Sequence, residues 1–274
     1  MKQAPIIHNK PTSQSTITIT QQRTHMDWLF ISLIAIAVFI TGISKGGFSG
    51  AFGILAVPLI SLQTSPMLAA AIMLPILCIM DIFTVQKFWK KWNTEQLIKC
   101  IPAAIIGVVI GGLTASWFSA EWLKIMVGII AAGFTLNSWP KKSRTAPQKP
   151  LSTLAGKFWC ALGGFTSFIA HAGGPPMSVY LLRANLDKTQ YVATAAVIFT
   201  AINYVKLIPY GMLGQLNSSN ILLSLCFTPV AFLGVQLGAW LHYKISTALF
   251  FKVMYSFLFL TGIKLIWDGI AGLS

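Results

Sequence analysis

The sequence predicts an all-α polytopic membrane protein built from two homologous halves, and three observations support this prediction. Hydrophobic residues make up 55% of the 274 residues and charged residues only 9%, which leaves too few charges for a soluble surface. Apolar runs of about 20 residues, the length that crosses a bilayer as a helix, recur from Trp28 onward. A glycine motif of the first half also recurs in the second. We expect about eight transmembrane helices.

The recurring motif is a proline followed by two glycines at fixed spacing. It reads Pro102-Ala-Ala-Ile-Ile-Gly107-Val-Val-Ile-Gly111 in the first half, and 127 residues later Pro229-Val-Ala-Phe-Leu-Gly234-Val-Gln-Leu-Gly238 in the second. We therefore predict an internal duplication, and secondary transporters are commonly built from such repeats with the substrate site at the repeat interface. The predicted organisation is a polar tail at 1–27, a first transmembrane repeat at 28–139, a basic linker at 140–153 and a second transmembrane repeat at 154–274.

Each half opens with an apolar segment whose length does not suit a single crossing. Trp28–Leu62 would be about 52 Å long as one helix, and Leu154–Leu182 about 43 Å, against roughly 30 Å of hydrocarbon. We expect a span followed by a half-helix or re-entrant piece, with the turn at the glycines. Crossing twice would instead give ten crossings and inverted repeats. The three further spans of each half are predicted at Met67–Val85, Gln96–Trp117 and Leu123–Trp139, then at Thr189–Tyr210, Asn220–Leu241 and Ser246–Trp267.

The net charge of +14 is concentrated at the polar ends of the spans. One loop carries Lys87, Lys90, Lys91 and Lys99, and another carries Lys141, Lys142, Arg144, Lys149 and Lys157. Because cytoplasmic loops are enriched in Lys and Arg, we place both loops and both termini in the cytoplasm. This orientation puts Arg183 and Lys188 in an outer loop, against the same rule. The charge indicates membrane topology and no nucleic-acid partner.

Two glycine-rich breaks each place a basic residue inside an apolar segment. The residues of interest are Ser44, Lys45, Gly46, Gly47 and Ser49 in the first break and Thr166, Ser167, His171, Gly173 and Gly174 in the second. A membrane interior supplies no water to a charge or a freed amide, so such breaks persist where protein or a solute-filled cavity satisfies them. A glycine-rich turn at Gly46-Gly47 and a half-helix opened by Pro175 would both direct backbone amides at an anion. We predict that the two breaks form one substrate site. The alternatives are a Lys45 that snorkels to the interface and a His171 that is satisfied within the core.

Asp81 is the carboxylate that the sequence places deepest within a span. A buried carboxylate must pair, bind a cation or take up a proton. Lys206 lies at about the corresponding place of the second half, so a static Asp81–Lys206 ion pair is one interpretation and proton coupling through Asp81 is the other. Asn203 lies one turn before Lys206 on the same helix face and can donate to a ligand oxygen. We include both in the predicted substrate site.

The sequence contains few residues that could serve in catalysis or metal binding. It contains six Asp and Glu residues in all and shows no Ser-His-Asp order, metal-ligand spacing or P-loop. Its cysteines lie in or at the ends of predicted spans without CxxC spacing, and we expect them to be buried apolar residues. They are Cys78, Cys100, Cys160 and Cys226. We predict that the protein is not an enzyme and has no cofactor and no metal site.

Several of these motifs resemble those of the sulfite exporter TauE/SafE family of membrane permeases. The segments that carry the resemblance are Gly42–Gly50, Ala56–Leu59, Leu74–Asp81, His171–Pro176 and Asn203–Tyr210. The resemblance extends over roughly Trp28–Gly272. It implies a transporter of small anions, typically sulfite or organosulfur compounds such as sulfonates, in the bacterial inner membrane.

From the residues and the resemblance together, we predict a secondary transporter that exports a small sulfur-containing or carboxylate anion, coupled to the proton gradient. Lys45, His171 and Lys206 would supply positive charge, and the lipid bilayer and the anion would be the partners. A single polar level in the bundle favours alternating access over a channel. A homo-oligomer is left open. The alternative function is a membrane-embedded accessory factor for sulfur or metal assembly, or a membrane enzyme.

Overall fold

The computed structural model is helical in the residues it describes, which are 13–50, 53–114, 119–138, 151–212 and 214–273. The helices are α1 Ser13–Phe48, α2 Ala56–Ile60, α3 Pro66–Lys87, α4 Thr94–Thr114, α5 Ala120–Ser138, α6 Thr153–Ala170, α7 Gly174–Leu181, α8 Lys188–Met212, α9 Ser218–Cys226, α10 Thr228–Lys244 and α11 Thr247–Ala271. A 3₁₀ turn at Gly53–Leu55 precedes α2. The basic linker up to residue 150 and the first twelve residues of the predicted tail lie outside the described residues.

Long apolar helices confirm the predicted class of polytopic helical membrane protein. Within the described ranges, α1, α3, α4, α8 and α11 each contain a stretch long and apolar enough to cross a membrane. The pair α9 and α10, bent by 47° relative to each other, makes a sixth candidate. The predicted number of eight crossings stays a prediction, with α5 and α6, of 19 and 18 residues, as the remaining long helices.

The first helix is longer than the sequence predicts. It begins at Ser13, inside the segment at 1–27 that we assigned to a polar tail. Once a helix has nucleated in an apolar span, each further residue adds a hydrogen bond at little extra cost. The span can therefore extend a helix into polar sequence that would not form one alone.

Both opening segments are broken into a long and a short piece, as predicted. In the first, α1 ends at Phe48, and Ser49 and Gly50, with φ of 60° and 78°, turn the chain towards α2. In the second, α6 ends at Ala170, and His171, with φ of 51°, turns it towards α7. A left-handed residue after the last helical residue is a common way to end a helix. Each break therefore begins with a left-handed residue directly after the helix, and the first break has a second one at Gly50.

Glycines bring helices of opposite halves into backbone contact. A Cβ atom at Gly46 of α1 would lie 2.2 Å from the carbonyl oxygen of Val235 in α10. A Cβ atom at Gly107 of α4 would lie 1.9 Å from the carbonyl oxygen of Ala161 in α6. Small residues drive helix association in membranes because they allow this close approach. The recurring proline and glycine motif is therefore a helix-packing motif.

The predicted turn at Gly46 and Gly47 is wrong, because α1 continues through both residues to Phe48. Both glycines face α10, and a Cβ atom at Gly47 would lie 2.5 Å from the carbonyl oxygen of Gly238. Their amides belong to a continuous helix, and the packing against α10 explains why they are glycines. The turn itself comes two residues later, at Ser49 and Gly50.

Each close helix pair joins one half of the chain to the other. The order of elements makes α6 the equivalent of α1, α8 of α3, the pair α9 and α10 of α4, and α11 of α5. Across the halves, α1 packs on α10 and α6 packs on α4, and α3 packs on α8 and α5 on α11. These contacts are mutually equivalent under exchange of the halves. The bundle is therefore pseudo-symmetric, and its most extensive helix contacts lie between the halves.

The two halves run in opposite directions through the bundle. Helices α3 and α10 end side by side, since Lys87 Nζ lies 3.0 Å from Gln236 Oε1 and Lys91 Nζ lies 3.0 Å from the Tyr243 hydroxyl. Helix α4 starts at this end, so it is antiparallel to its equivalent α10. Helix α11 is likewise antiparallel to α5, because a Cβ atom at Gly269 would lie 2.7 Å from the Glu121 carbonyl oxygen. The repeats are inverted, which the sequence had left open.

This arrangement defines a basic end of the bundle, the end that carries Lys87, Lys90, Lys91, Lys188 and Lys244. Lys188 lies there because its Nζ donates to the carbonyl oxygens of His242 and Ile245, at 2.8 and 2.6 Å. The prediction that Lys188 lies on the side opposite to the first basic loop is wrong. The structure thus removes the conflict with the charge rule.

The start of α1 and the end of α11 lie at the opposite end from these lysines. Helix α1 is parallel to α10, since Gly42 contacts Gly234 and Gly47 contacts Gly238, and α10 ends at the basic end. The prediction that both termini share a side with the loop containing Lys90 is therefore wrong for the described helices. The reason is that each opening segment turns back towards the end of the bundle at which it begins. Each half therefore reverses direction once more than we expected, and this places the termini at the other end.

Candidate functional site

A cavity of about 80 Å³ lies between the two halves, where both breaks meet. Its walls come from α1, α2, α3, α6, α7 and α8 and from the breaks after α1 and α6. Nine of the predicted site residues line it: Lys45, Ser49, Asp81, Ser167, His171, Gly173, Gly174, Asn203 and Lys206. The sequence therefore identified most of the polar wall.

Lys45 and Asp81 form a buried ion pair within the first half. Their side chains are 9% and 1% exposed, and Lys45 Nζ also lies 3.4 Å from the carbonyl oxygen of Leu77. This arrangement excludes the alternative in which Lys45 snorkels to the interface. The other carboxylate oxygen of Asp81 accepts from Asn203 Nδ2 at 2.7 Å, across the boundary between the halves. Asp81 is thus held by one residue from each half.

Lys206 is not the partner of Asp81, so the ion pair considered from the sequence is replaced by another. Lys206 is 1% exposed, and among the described residues it forms no ion pair with a carboxylate. Its Nζ donates to the carbonyl oxygen of Ser167 at 2.8 Å and lies 3.4 Å from His171 Nδ1. A lysine buried without a counter-ion either loses its proton or binds an anion.

His171 connects Lys206 to a tyrosine. Its Nε2 lies 2.9 Å from the Tyr210 hydroxyl, and its ring is partly exposed. An ammonium has no lone pair, so a protonated Lys206 requires Nδ1 of His171 to accept and leaves the ring proton on Nε2. The imidazole is then neutral and donates to Tyr210. The prediction that His171 supplies positive charge is not met in this arrangement, and Lys206 supplies it instead.

Equivalent helix caps show which residues of the two halves correspond. Ser65 caps α3 by accepting from the amide of Leu68 at 3.2 Å. Asp187 caps α8 in the same way by accepting from the amide of Gln190 at 2.9 Å. The two caps lie 122 residues apart in the sequence.

The ends of α1 and α6 give the same separation of 122 residues. The carbonyl oxygen of Ser44 accepts from the amide of Gly50 at 3.0 Å, and that of Thr166 accepts from the amide of Ala172 at 3.1 Å. These are equivalent bonds of a common C-terminal helix cap. Ser44 and Thr166 therefore supply the carbonyl oxygens of these caps, in the last turn of α1 and α6. Neither residue lines the cavity, and neither do Gly46 and Gly47.

With a separation of 122 residues, the polar residues that correspond differ from those expected from the sequence. Asp81 is equivalent to Asn203, and the two bond to each other across the halves. Lys45 is equivalent to Ser167. The predicted correspondences of Lys45 with His171 and of Asp81 with Lys206 are wrong, because the 127-residue separation of the proline and glycine motif includes residues inserted after α8.

Sequence reasoning missed two hydroxyls of the cavity wall. Thr41 lies one turn before Lys45 on α1, and Thr84 lies one turn after Asp81 on α3. Helical periodicity was the available signal, because residues three or four apart share a helix face.

A comparison with known families bears directly on this geometry. A family model described as sulfite exporter TauE/SafE matches residues 34–265. The chain belongs to this family. The match includes both inverted halves and every residue of the cavity wall. Membership in the TauE/SafE family indicates a sulfite exporter-type membrane transporter, as the motifs suggested. Searches of curated proteins and of solved structures found no significant match.

Proposed function

We propose that this TauE/SafE protein is a secondary transporter that carries a small anion, sulfite or a related organosulfur or carboxylate anion, through the cavity between its halves. The observation that supports this most is Lys206, a buried lysine on the cavity wall without a carboxylate partner among the described residues. Lys45 and Asp81 neutralise each other. A protonated Lys206 therefore leaves one positive charge in the cavity, and a bound anion is the counter-ion that stabilises it.

Alternating access is the mechanism that the inverted halves support. Inverted repeats give a transporter two related conformations, each open to one side of the membrane. The bond between Asp81 and Asn203 joins equivalent residues of the two halves. We propose that this contact moves when the halves exchange conformations, with the anion held between them.

Proton coupling through Asp81 follows from a competition for Lys45. An anion bound at Lys45 would deprive Asp81 of its ammonium partner, and a buried carboxylate without a cation is more stable when protonated. Asn203 can still donate to the carbonyl oxygen of a protonated Asp81. We propose that a proton binds with the anion and leaves with it. The two gradients together then set the direction, and export occurs when the outward gradient of the anion exceeds the opposing inward gradient of protons.

For localisation, we propose a bacterial inner membrane with the basic end in the cytoplasm. Excess lysine at one end of the bundle matches the charge rule for cytoplasmic loops. In this orientation the start of α1 and the end of α11 face the periplasm.

Flux measurements with Lys206→Met test the transport proposal. Proteoliposomes preloaded with unlabelled sulfite would be assayed for counterflow of labelled sulfite, with taurine, sulfoacetate and acetate as competitors. A charge-assisted hydrogen bond contributes roughly 1.5–3 kcal/mol, so we expect Lys206→Met to weaken anion binding by about one to two decades. Lys264→Met is the matched control. Lys264 also belongs to a charged pair, with its Nζ 2.5 Å from Asp268 Oδ2, but neither residue lines the cavity. Wild-type counterflow in a folded Lys206→Met protein would contradict the proposal.

A further inference from the structure

Thr41 differs from its neighbours in the cavity by having an unpaired hydroxyl. It lies on α1 one turn before Lys45, is 1% exposed and lines the cavity. Its Oγ1 is buried and has no hydrogen-bond partner among the described residues. A buried hydroxyl without a partner destabilises a folded protein. The position therefore calls for a partner that the described part of the chain does not provide.

Other helical threonines show that an internal partner was accessible. Their hydroxyls donate to the carbonyl oxygen four residues earlier, at 2.6–2.8 Å, in Thr84, Thr114, Thr135, Thr166 and Thr200. Thr41 could reach the carbonyl oxygen of Ala37 in the same way and does not. Thr228 also has an unpaired hydroxyl, but it lies at the junction of α9 and α10 and does not line the cavity.

The surroundings of Thr41 favour a bound solute as its partner. Lys45 follows on the same helix face, and Lys206 lines the same cavity from the other half. The equivalent of Thr41 in the second half is Gly163, where a Cβ atom would lie 3.2 Å from Met177 Cε. The second half therefore has no such hydroxyl, and the donor is a one-sided feature of the site.

We propose that Thr41 Oγ1 donates a hydrogen bond to an oxygen of the bound anion and is a specificity-determining residue of the site. This inference rests on the proposed function of the cavity. Lys206 holds one oxygen of the anion and Thr41 holds another. The site therefore selects anions with at least two oxygen acceptors, such as sulfite, sulfonates or carboxylates, over halides, which present a single atom.

Thr41→Val and Thr41→Ser test the role of the hydroxyl. Purified protein in detergent would be titrated with sulfite and with bromide by calorimetry, and its thermal unfolding would be measured without anion. One neutral hydrogen bond corresponds to about a fivefold to tenfold change in affinity. We expect Thr41→Val to weaken sulfite binding by about that factor and to bind bromide unchanged. Thr41→Ser should stay within about twofold of wild type for sulfite.

Stability separates a ligand contact from a structural role. Removing an unpaired hydroxyl should leave the unfolding temperature without anion unchanged or raise it. Thr135→Val is the matched control, since Thr135 is an equally buried helical threonine that lies outside the cavity wall and donates to the carbonyl oxygen of Ala131 at 2.7 Å. It should retain its affinity for sulfite.

Unchanged sulfite affinity in Thr41→Val would overturn the role of Thr41 alone, and so would an equal loss in Thr135→Val. Absence of anion binding in the wild-type protein would overturn the proposed function and this role together.

Discussion

At the scale of single residues, two buried charged side chains of the cavity, Asp81 and Lys206, have partners of different kinds. Asp81 has an ammonium on one oxygen and an amide on the other. Lys206 has a carbonyl oxygen and an imidazole nitrogen, and neither carries a negative charge. An ion in a low-dielectric interior is costly unless it is paired and fully hydrogen-bonded. Asp81 therefore has a partner of opposite charge in the cavity, whereas Lys206 has neutral partners.

Asp81→Asn should separate anion binding from proton binding. The variant frees Lys45 for the anion, so we expect sulfite affinity equal to or above that of wild type. Proton uptake per bound anion should fall from about one to about zero, because no carboxylate remains to be protonated. Calorimetry in two buffers with different ionisation enthalpies measures this number.

Asp268→Asn is the control for Asp81→Asn, since Asp268 forms a half-buried pair with Lys264 outside the cavity wall. Accumulation of sulfite by Asp81→Asn at the wild-type rate under a pH gradient would exclude an essential coupling role. A poorly folded variant would indicate that the pair with Lys45 is structural. The double variant Lys45→Met with Asp81→Asn then removes both charges and should recover folding.

At the scale of helices, the recurring glycines explain why the halves interlock. Gly164 of α6 is the equivalent of Gly42 in α1, and a Cβ atom there would lie 2.0 Å from the carbonyl oxygen of Ala104. Backbone groups cannot move aside as a flexible side chain can. The helix pairs α1 with α10 and α4 with α6 therefore depend on glycine at these positions.

Gly164→Ala should destabilise the bundle, whereas Gly133→Ala should not. Overpacking in a close interface costs typically 1–3 kcal/mol, and we expect a lower unfolding temperature for Gly164→Ala. Nothing lies within 4 Å of a Cβ atom at Gly133, so its replacement adds only helix propensity, worth about 0.5–1 kcal/mol of stabilisation. Thermal unfolding in one detergent, followed by tryptophan fluorescence, compares the two variants. Equal unfolding temperatures would show that α6 shifts to accommodate the methyl group.

The bend between α9 and α10 also has a cause at this scale. Asn93 caps α4 and Asn217 caps α9, each by accepting from the amide three residues later, at 3.1 and 2.8 Å. The next caps, Ser119 and Ser246, begin α5 and α11. The interval from cap to cap is three residues longer in the second half. We infer that this extra length is absorbed at the 47° bend, while α4 stays continuous.

At the scale of the whole molecule, inversion of the repeats makes a topological prediction. Single-cysteine variants Lys90→Cys and Gly272→Cys, in a background without the native cysteines, would be treated in intact cells with an impermeant maleimide. We expect Gly272→Cys to be labelled, because the end of α11 lies opposite to the basic end. Lys90→Cys should react only after permeabilisation. Labelling of both variants from the same side would contradict the inverted arrangement.

Local properties of the chain were enough to predict much of this protein. Hydropathy identified a helical membrane protein, and the glycine motif indicated two repeats. A break in each opening segment could be predicted, because an apolar segment longer than one crossing must turn, although the first turn was expected at Gly46 and Gly47 and lies after Phe48. Lys45, His171, Asp81 and Lys206 could be assigned to one cavity because a charge at membrane depth needs polar surroundings.

Tertiary structure alone decided which of these residues are partners. Lys45, and not Lys206, reaches Asp81, because that choice depends on the rotation and depth of each helix and not on its composition. Gly46 and Gly47 have the composition of an anion-binding turn but pack against α10. The sense of the repeats depends on whether each opening segment turns back, which hydropathy does not encode. Sequence determined the polar inventory of the site, and the packing of antiparallel halves determined its geometry.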